Sequence, residues 1–487
     1  MFRKLKITAI AVLAATSFLF AEAYQVNTLS ARQLGMGHTG AGQKLGVESM
    51  HFNPGGLGFL ENKFEASAGV TFIMPRVELE GTWGEQRAEK GVATPMYVYA
   101  GSNFLPFMSA GLSFTTPYGN SASWDKNWAG AELIQDISLK VFALQPTVAF
   151  NIMKIVSIGV GPTINFGNFE QSKALAGPGA FNDYGALAAG IKNVPFPGLS
   201  QASDEISSVV NKYAEKSAAS ITLSGDAKPA VGVHAGIMVD IIEKIGIGVS
   251  YRSGVKAKVK GGKVEITKNA DDINRLNEAI NTANNSMNTL VELGALPGWN
   301  NAPNVVIPPL DKGTFDATLP LPENMNIGVS FKPTDKLLFA LDLQLIGWGA
   351  YDSLIMTFND VGGVAGNDVP KNAAKKYEDA AAIRFGTQIG LTEMVDLRAG
   401  IYFDGSPVPD DFLNPETPST NKLGGTLGCS IRPIKMLSID LGLLYVHSID
   451  GTNSYRSGSV VKDNGQKFAA NYTVQAIAPS IGISLKF

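Results

Sequence analysis

From Lys63 to the carboxyl terminus, apolar residues alternate with small or polar residues in successive segments of about ten residues. In the last segment the apolar members are Ile481, Ile483, Leu485 and Phe487. A segment of this kind is expected for a transmembrane strand that has one face against lipid. A soluble sandwich also alternates, so the period alone does not separate these two fold classes.

The connections between the segments do separate them. Short turns, at residues 104–106, 151–153, 241–243, 332–335, 392–393 and 432–435, alternate strictly with longer connections. Fourteen strands are predicted, beginning near Phe64, Ala93, Phe107, Ser138, Lys154, Ala230, Lys244, Leu319, Lys336, Asp379, Met394, Asn421, Met436 and Thr473. An even strand number with short turns at one end and long loops at the other is typical of outer-membrane barrels. The sequence therefore predicts an all-β chain whose residues 63–487 form a fourteen-stranded antiparallel barrel in a bacterial outer membrane.

The amino terminus predicts export. Three basic residues, Arg3, Lys4 and Lys6, precede an apolar run over residues 7–20, and Ala21-Glu22-Ala23 fits a small-residue cleavage site. The run is shorter than the ~18 residues that span a bilayer. We therefore predict a secretory signal peptide over residues 1–23. The single cysteine, Cys429, excludes an intramolecular disulfide, and the net charge of −3 gives no indication of nucleic-acid binding.

Residues 24–62 lie between the signal and the first strand and are predicted to form a plug, or hatch, inside the barrel. Residues 32–60 contain eight glycines and show no sustained helical or strand period. Such a segment cannot bury enough of its own surface to fold alone. Gly35, Gly37 and Gly40 also spell the G-x-G-x-x-G dinucleotide motif, but no buried strand precedes it and no βαβ unit follows. The nucleotide interpretation is therefore disfavoured.

The hatch also resembles a known family. Its motifs, Ser30-Ala31-Arg32, Gly35-Met36-Gly37, Gly40-Ala41-Gly42 and Asn53-Pro54-Gly55-Gly56-Leu57, resemble the N-terminal hatch of the FadL family, outer-membrane transporters for long-chain fatty acids and other hydrophobic compounds. Family members usually carry Asn-Pro-Ala where this chain has Asn53-Pro54-Gly55. The similarity continues late in the chain, at Leu321-Pro322-Glu323-Asn324, Arg384-Phe385-Gly386 and Ser406-Pro407-Val408-Pro409-Asp410.

The resemblance implies passive uptake of long-chain fatty acids or similar molecules. In the family the hatch blocks the lumen, its Asn-Pro-Ala motif lies beside an inward kink in the third strand, and a lateral gap opens there towards the bilayer. The third strand would run over residues 107–116, with Gly111 in its interior. Because a glycine inside a strand often marks a bend, Gly111 is the candidate kink position.

The two longest connections, residues 167–229 and 261–318, each contain a predicted amphipathic helix. The apolar faces comprise Ile206, Val209, Val210 and Tyr213 in the first, and Ile273, Leu276 and Ile280 in the second. They either form a groove for a lipid-like ligand or pack on the barrel rim and on each other, and both interpretations stay open. In the resembled family the third and fourth outer loops are helical and shape an outward-facing binding groove.

Basic residues provide candidates for attracting a carboxylate. Strand parity places Arg252, Lys256, Lys258 and Lys260 on the lumenal face near the outer mouth, where fixed positive charge would steer anions inward. The alternative is a solvated strand end or contact with lipopolysaccharide phosphates. Arg384 and Arg398 are predicted to face the lumen more deeply, with salt bridges to acids such as Asp396 as the alternative.

No enzyme motif is recognisable, and no histidine or cysteine spacing predicts a metal or a cofactor. The predicted function is uptake of long-chain fatty acids or similar hydrophobic molecules through a hatch-gated path with lateral exit. The alternatives are an aromatic-hydrocarbon channel of the same family, an outer-membrane hydrolase and an adhesion barrel. We expect a monomer whose partners are a fatty acid-like ligand, outer-membrane lipid, lipopolysaccharide and the barrel-assembly machinery, with no nucleic acid.

Overall fold

The computed structural model describes residues 23–89, 91–307, 311–359, 375–449, 452–455 and 468–487. All of the predicted signal peptide except Ala23 lies outside the described residues. The strands are β1 Phe64–Thr71, β2 Met74–Gly81, β3 Gly84–Arg87, β4 Met96–Leu105, β5 Met108–Ser123, β6 Asp136–Ile152, β7 Val156–Ala176, β8 Ala219–Ile241, β9 Ile245–Arg252, β10 Val255–Lys268, β11 Lys312–Leu321, β12 Asn324–Thr334, β13 Leu337–Ile346, β14 Ile355–Asn359, β15 Ala380–Gly390, β16 Val395–Asp404, β17 Lys422–Ile434, β18 Leu437–Ser448, β19 Thr452–Tyr455 and β20 Phe468–Lys486. The α-helices are α1 Ala31–Leu34, α2 Ser49–Phe52, α3 Asp183–Ile191, α4 Leu199–Lys212 and α5 Ala270–Glu292, and 3-10 helices cover Gly46–Glu48, Pro54–Phe59, Trp348–Ala350 and Asp410–Phe412.

These strands form one closed antiparallel barrel, because β1 pairs with both β4 and the last strand, β20. β9 and β10 are consecutive parts of one barrel strand, and so are β11 and β12, which gives fourteen strands around the wall. The fourteen-stranded prediction is confirmed. β2, β3, β14 and β19 extend the wall at the end that carries the long loops, here called the outer end.

The two faces of the wall explain the alternation. One outward row consists of cross-strand neighbours that are exposed although apolar: Ile247, Val329, Leu341, Phe385 and Ile401. The inward row one residue away consists of Gly248, Gly328, Asp342, Arg384 and Tyr402. An apolar outer face and a glycine-rich or polar inner face fit a wall that has lipid outside and the hatch inside.

The strands at the two long insertions run further than predicted. β7 continues to Ala176 and β8 starts at Ala219, while β10 continues to Lys268 and β11 starts at Lys312. The helical insertions are therefore residues 177–218 and 269–311 instead of 167–229 and 261–318. Alternation persists in the extensions, but polar residues replace the outward apolar ones. The sequence prediction required outward apolar residues, and it therefore ended these strands too early.

Helices are confirmed in both insertions, and α3, α4 and α5 pack into one apolar cluster at the outer end. Among the described residues, no helix combines the length and hydropathy that crossing a bilayer requires.

Candidate functional site

The motif Asn53-Pro54-Gly55 fixes the hatch to the wall. Asn53 is fully buried, and its Nδ2 donates to Ala41 O (2.8 Å) in the hatch and to Ile237 O (3.1 Å) on β8. Its Oδ1 accepts from Gly55 N at 3.0 Å and so caps the 3-10 helix that Pro54 begins. One amide side chain thus joins two hatch turns and one barrel strand.

Glycines in the wall allow this close approach. A methyl group on Gly159, Gly236 or Gly248 would overlap Pro54, Asn53 or Ala41, respectively. Three neighbouring strands, β7, β8 and β9, therefore present bare backbone to the motif, as expected where another backbone must come close. On the other side of this turn, Asp342 of β13 accepts from Gly40 N (2.6 Å) and Ala41 N (2.8 Å). The hatch is thus tied to the wall from two sides.

Above the hatch, towards the outer end, the barrel contains an apolar chamber. Its free volume is ≈ 50 Å³. The apolar lining residues include Ile137, Leu139, Val141, Phe169, Ala227, Ala257, Val259, Ala317, Leu319, Leu354 and Met356. The acid in the lining, Glu416, forms an ion pair with Lys375 (Oε2–Nζ 2.8 Å). The chamber therefore offers a long apolar surface with a neutralised charge at its edge.

Tyr24 separates the chamber from the space below it. Its ring packs edge-on against Trp348 with centroids 4.6 Å apart, and it also contacts the rings of Tyr118 and Tyr351. The backbone beside it pairs with β5, because Tyr24 O accepts from Gly119 N and Val26 N donates to Pro117 O, both at 2.8 Å. The Tyr24 hydroxyl also donates to Pro320 O, so three hydrogen bonds hold this partition of one aromatic side chain and its segment.

Below Tyr24 lies a polar cavity between the hatch and the wall, with a free volume of ≈ 30 Å³. Its lining residues are Gln25, Asn27, His38, Ala41, His51, Phe52, Arg252, Asn324, Asn326, Asp342, Gln344 and Arg384. The two arginines differ in their partners. Arg384 pairs with Asp404 at 3.3 Å and donates to Gln344 Oε1 at 2.5 Å. Arg252 Nη2 donates to His51 O at 3.1 Å, and within the described residues Arg252 forms no ion pair with a carboxylate.

Arg252 is partly buried, so its lack of an acidic partner costs free energy. Its Nε is buried and has no hydrogen-bond partner in the described part of the chain. A buried cation is normally paired, because transfer of an isolated charge from water is expensive. Arg252 Nη2 also lies 3.2 Å from His51 Nδ1 and 3.4 Å from His234 Nδ1, so its partners are neutral groups and it presents a guanidinium without an acidic partner to the polar cavity.

The prediction that Lys256, Lys258 and Lys260 face the lumen is wrong. All three are exposed on the outer face of β10, whereas Ala257 and Val259 point inward and line the chamber. The interruption at residues 253–254, between β9 and β10, shifts the inward parity from even to odd numbers. Arg252 lies before the interruption and faces inward as predicted.

Arg398 lies in a charge network within the wall. It is 4 % exposed, donates to Ser430 Oγ at 2.6 Å and lies 3.4 Å from Asp396 and 3.7 Å from Asp440. Arg384 and Arg398 thus form salt bridges with acids of the wall, which is the alternative to carboxylate binding that the sequence analysis named. A direct carboxylate role for either of them stays a prediction.

The residues predicted to form a ligand groove lie close together, but most of them are buried by contact with each other. Ile206, Val209, Leu276 and Ile280 are fully buried in the helical cluster, where Tyr213 and the partly buried Val210 also lie. Ile273 of α5 is buried outside this cluster. The closed space between α4 and α5 is therefore occupied by side chains. Contact of these residues with a ligand stays a prediction.

The third strand is irregular, but not at Gly111. Gly111 pairs regularly with Gly101 and Thr147, and a methyl group there would overlap Met50 of the hatch. The register shifts between Thr115 and Tyr118, beside the segment that carries Tyr24. The irregularity expected at Gly111 therefore lies at residues 116–117.

A second irregularity separates β6 from β7. Their ladder stops after Leu144↔Ile164 and resumes in the same register at Val148↔Val160. That register places Pro146 opposite Pro162, and neither has an N–H to donate. Both prolines face outward and are exposed, while Gln145 on the inner side donates from Nε2 to Met50 O at 2.9 Å. We call residues 145–147 and 161–163 the proline seam.

Sequence reasoning missed both the chamber and the seam. The chamber residues lie on strand segments above the lipid belt, where the alternation continues at Ile137, Leu139 and Val141 but the outward residues are mixed. The two prolines were visible in the sequence, and an explicit pairing of the fourth and fifth strands would have placed them opposite each other.

Comparison with known proteins agrees with this architecture. The family model described as outer membrane protein transport protein (OMPP1/FadL/TodX) matches residues 12–487. The chain is 22% identical to the long-chain fatty acid transport protein of Escherichia coli K12 over 90% of this chain and 91% of that one. It is also 22% identical to outer membrane protein P1 of Haemophilus influenzae over 98% of both chains. Among solved structures, a Pseudomonas aeruginosa FadL homologue covers 96% of this chain and 100% of its own with a TM-score of 0.71 at 16% identity. The toluene transporter TodX of Pseudomonas putida covers 96% of this chain and 99% of its own with a TM-score of 0.63 at 14% identity.

Proposed function

The chain belongs to the OMPP1/FadL/TodX family of outer-membrane transport proteins, and from this premise we propose that it takes up long-chain fatty acids or closely similar amphipathic acids. It is a transporter of fatty acids or hydrophobic aromatic compounds rather than an enzyme, in agreement with its relatives. The finer assignment to acids is the proposal, and Arg252 is the observation that carries it.

Arg252 favours an acid because it forms no ion pair within the described residues. The carboxylate that lines the same cavity, Asp342, accepts from Gly40 N and Ala41 N instead. The hydrocarbon tail would lie in the chamber and the carboxylate would reach the guanidinium past Tyr24. A charge-assisted hydrogen bond in such a site contributes about 1.5–3 kcal/mol. A neutral hydrocarbon would gain nothing from it.

Displacement of Tyr24 would open this path. The two main-chain hydrogen bonds and the bond from the Tyr24 hydroxyl to Pro320 O contribute about 1 kcal/mol each and burial of the ring about 2 kcal/mol, or roughly 5 kcal/mol together. A ligand gains about 0.8 kcal/mol for each methylene that it buries, so about six methylenes offset the opening. Long chains would therefore open the partition by their own binding, whereas short acids would not.

The proline seam is our proposed exit towards the bilayer. It lies beside the hatch residue Met50, faces lipid through Pro146 and Pro162, and lacks ladder hydrogen bonds at its centre. Opening a wall at this point breaks fewer hydrogen bonds than opening it at a continuous ladder. Movement of the hatch away from Gln145 would then uncover the inner side of the seam.

Transport of aromatic hydrocarbons is the second candidate. The specific observation in its favour is the apolar lining of the chamber, whose Glu416 is already paired with Lys375. The toluene transporter TodX shares the fold. A neutral aromatic compound would use the chamber but not Arg252.

The test is uptake by bacteria that lack their own long-chain fatty acid transporter. Expression of this chain is expected to restore uptake of a labelled long-chain fatty acid and to increase uptake of a labelled monoaromatic hydrocarbon less. Uptake of the aromatic alone, at equal amounts of surface protein, would reject the acid and favour the second candidate.

The exit has its own test. The double substitution Pro146→Ala and Pro162→Ala restores two N–H donors and should close the ladder, which lowers the uptake rate without changing ligand binding. Pro229→Ala, at an exposed proline on β8, is the control and should transport normally. Unchanged uptake in the double variant would exclude the seam as the exit.

A further inference from the structure

The outer face of the wall carries a group of lysines that do not face the lumen. Lys256, Lys258 and Lys260 of β10 and Lys228 of β8 are exposed and point away from the lumen. We call these four residues the outer lysine patch. None of them forms an ion pair within the described residues.

Two members of the patch oppose each other directly. Lys258 pairs with Lys228 in the β8–β10 ladder. Like charges directly opposite each other across a ladder destabilise the pair. Within the described residues, the outward acids close by, Asp316 and Asp226, form no ion pair with these lysines, and Asp316 accepts from Gly261 N at 2.8 Å. A bound anion between the two ammonium groups would remove the repulsion.

The position of the patch relative to the membrane interface indicates which anion can reach it. On the outer face, Phe114, Phe142 and Phe166 form a row of stacked rings with centroids 5.7 and 5.9 Å apart. Aromatic girdles of this kind lie at the membrane interfaces of barrels.

Below the patch on the same side, large apolar side chains are exposed: Val231 is 67 % exposed, Val233 48 % and Tyr251 45 %. On β8, Lys228 lies three residues nearer to the outer end than Val231, which is roughly 10 Å along a strand. The patch therefore lies just above the hydrocarbon, at the level of the lipid headgroups.

We propose that the outer lysine patch binds the phosphate groups of lipopolysaccharide in the outer leaflet. Lys228 and Lys258 would hold one phosphate between them, and Lys256 and Lys260 would extend the contact along β10. The proposal depends on the barrel and its membrane position and is independent of what the lumen transports.

The test compares phosphorylated with dephosphorylated lipopolysaccharide on the purified full-length protein in detergent. The wild type is expected to bind the phosphorylated form at least about tenfold more tightly, since each basic residue near a membrane surface adds to the attraction of anionic groups and salt screens only part of it. The triple variant Lys228→Gln, Lys256→Gln and Lys258→Gln should lose this preference.

The matched control removes three lysines at the opposite end. Lys154, Lys336 and Lys435 are exposed in the short turns, and their change to Gln alters the net charge equally. This control should keep the wild-type preference. Equal binding of the two lipopolysaccharide forms by the wild type, or a preserved preference in the outer triple variant, would overturn the proposal.

A second measurement uses single changes, which need not disturb folding. Lys228→Gln and Lys258→Gln should each raise the melting temperature of lipid-free protein, because each relieves the opposed charges. Phosphorylated lipopolysaccharide should raise the melting temperature of the wild type more than that of either variant. A shift of equal size in all three proteins would also overturn the proposal.

Discussion

Replacement of Arg252 by methionine tests the proposed carboxylate site most sharply. The side chain keeps much of its length, but the guanidinium that faces the polar cavity is lost. If the ligand carboxylate accepts from this group, the lost interaction is about 1.5–3 kcal/mol. At 1.4 kcal/mol for each factor of ten, binding of a fatty acid should weaken by about 10- to 150-fold.

The assay measures binding of a fluorescent long-chain acid and of the alcohol with the same chain to purified protein. The alcohol should bind wild type and Arg252→Met within about twofold of each other, because the alcohol has no charge to pair. The control is Arg432→Met, at a short turn where Arg432 pairs with Asp396 (2.5 Å) far from the cavity. Equal weakening of acid and alcohol, or of neither, would refute the assignment of Arg252.

Arg252→Met should also leave the barrel as stable as the wild type or more stable, since a partly buried cation without a counter-ion is removed. Arg384→Met should destabilise the barrel because the buried ion pair with Asp404 is broken, and thermal unfolding of both variants checks this contrast. Gly248→Ala should loosen the hatch, because the new methyl group overlaps Ala41, while Gly425→Ala, at a wall glycine with open space around it, should not. The measurement is entry of a small polar antibiotic into cells, and equal sensitivity of the two glycine variants would contradict the close fit. In the helical cluster, burial alone would raise the pKa of the Asp272 carboxyl, but hydrogen bonds from Lys212, Tyr213 and Arg275 hold it at about 2. Its pKa is thus lower in the folded state than in the unfolded chain, so it stabilises the cluster above about pH 4 and this contribution is lost as the pH falls towards 2. Pepsin cleavage within α4 and α5 should therefore rise over this interval in the wild type, and Asp272→Asn should be cleaved readily throughout it; identical profiles would show that the carboxylate does not hold the two helices.

The strand number and the turns could be predicted because each depends on local sequence. A period of two fixes which residues face lipid, and a short turn joins two strands wherever it occurs. The hatch could also be placed in the lumen, because a glycine-rich segment such as residues 32–60 has no core of its own. The match of glycines on two sides, as at Gly55 and Gly236, was not predictable, since it depends on which strands surround the hatch.

The face of the strand on which Lys256, Lys258 and Lys260 lie was predicted wrongly. The inference for Lys256, Lys258 and Lys260 counted alternate residues from Arg252 through Ser253-Gly254 without a break. The strand is interrupted there, and the same change of inward parity occurs in β8 and between β11 and β12. A correct count would have required knowing that three neighbouring strands change together, which is a property of the folded wall.

The helical insertions show a different limit. The amphipathic pattern of Ile206, Val209, Leu276 and Ile280 identified the buried faces but not what buries them. Side chains of the neighbouring helix cover them, and the largely apolar space in the structure lies in the barrel instead. Periodicity predicts that a face is covered, and only tertiary packing decides whether a ligand or another helix covers it.

The central claim is that an acyl chain lies in the chamber above Tyr24 with its carboxylate directed towards Arg252. A long-chain fatty acid with a photoreactive group at its terminal carbon tests this claim, with the labelled residues located by mass spectrometry. The chamber account predicts labels on lining residues such as Leu139, Phe169 and Met356, which excess unlabelled acid should suppress. Labels confined to α4 and α5 or to the lipid-facing wall would contradict it.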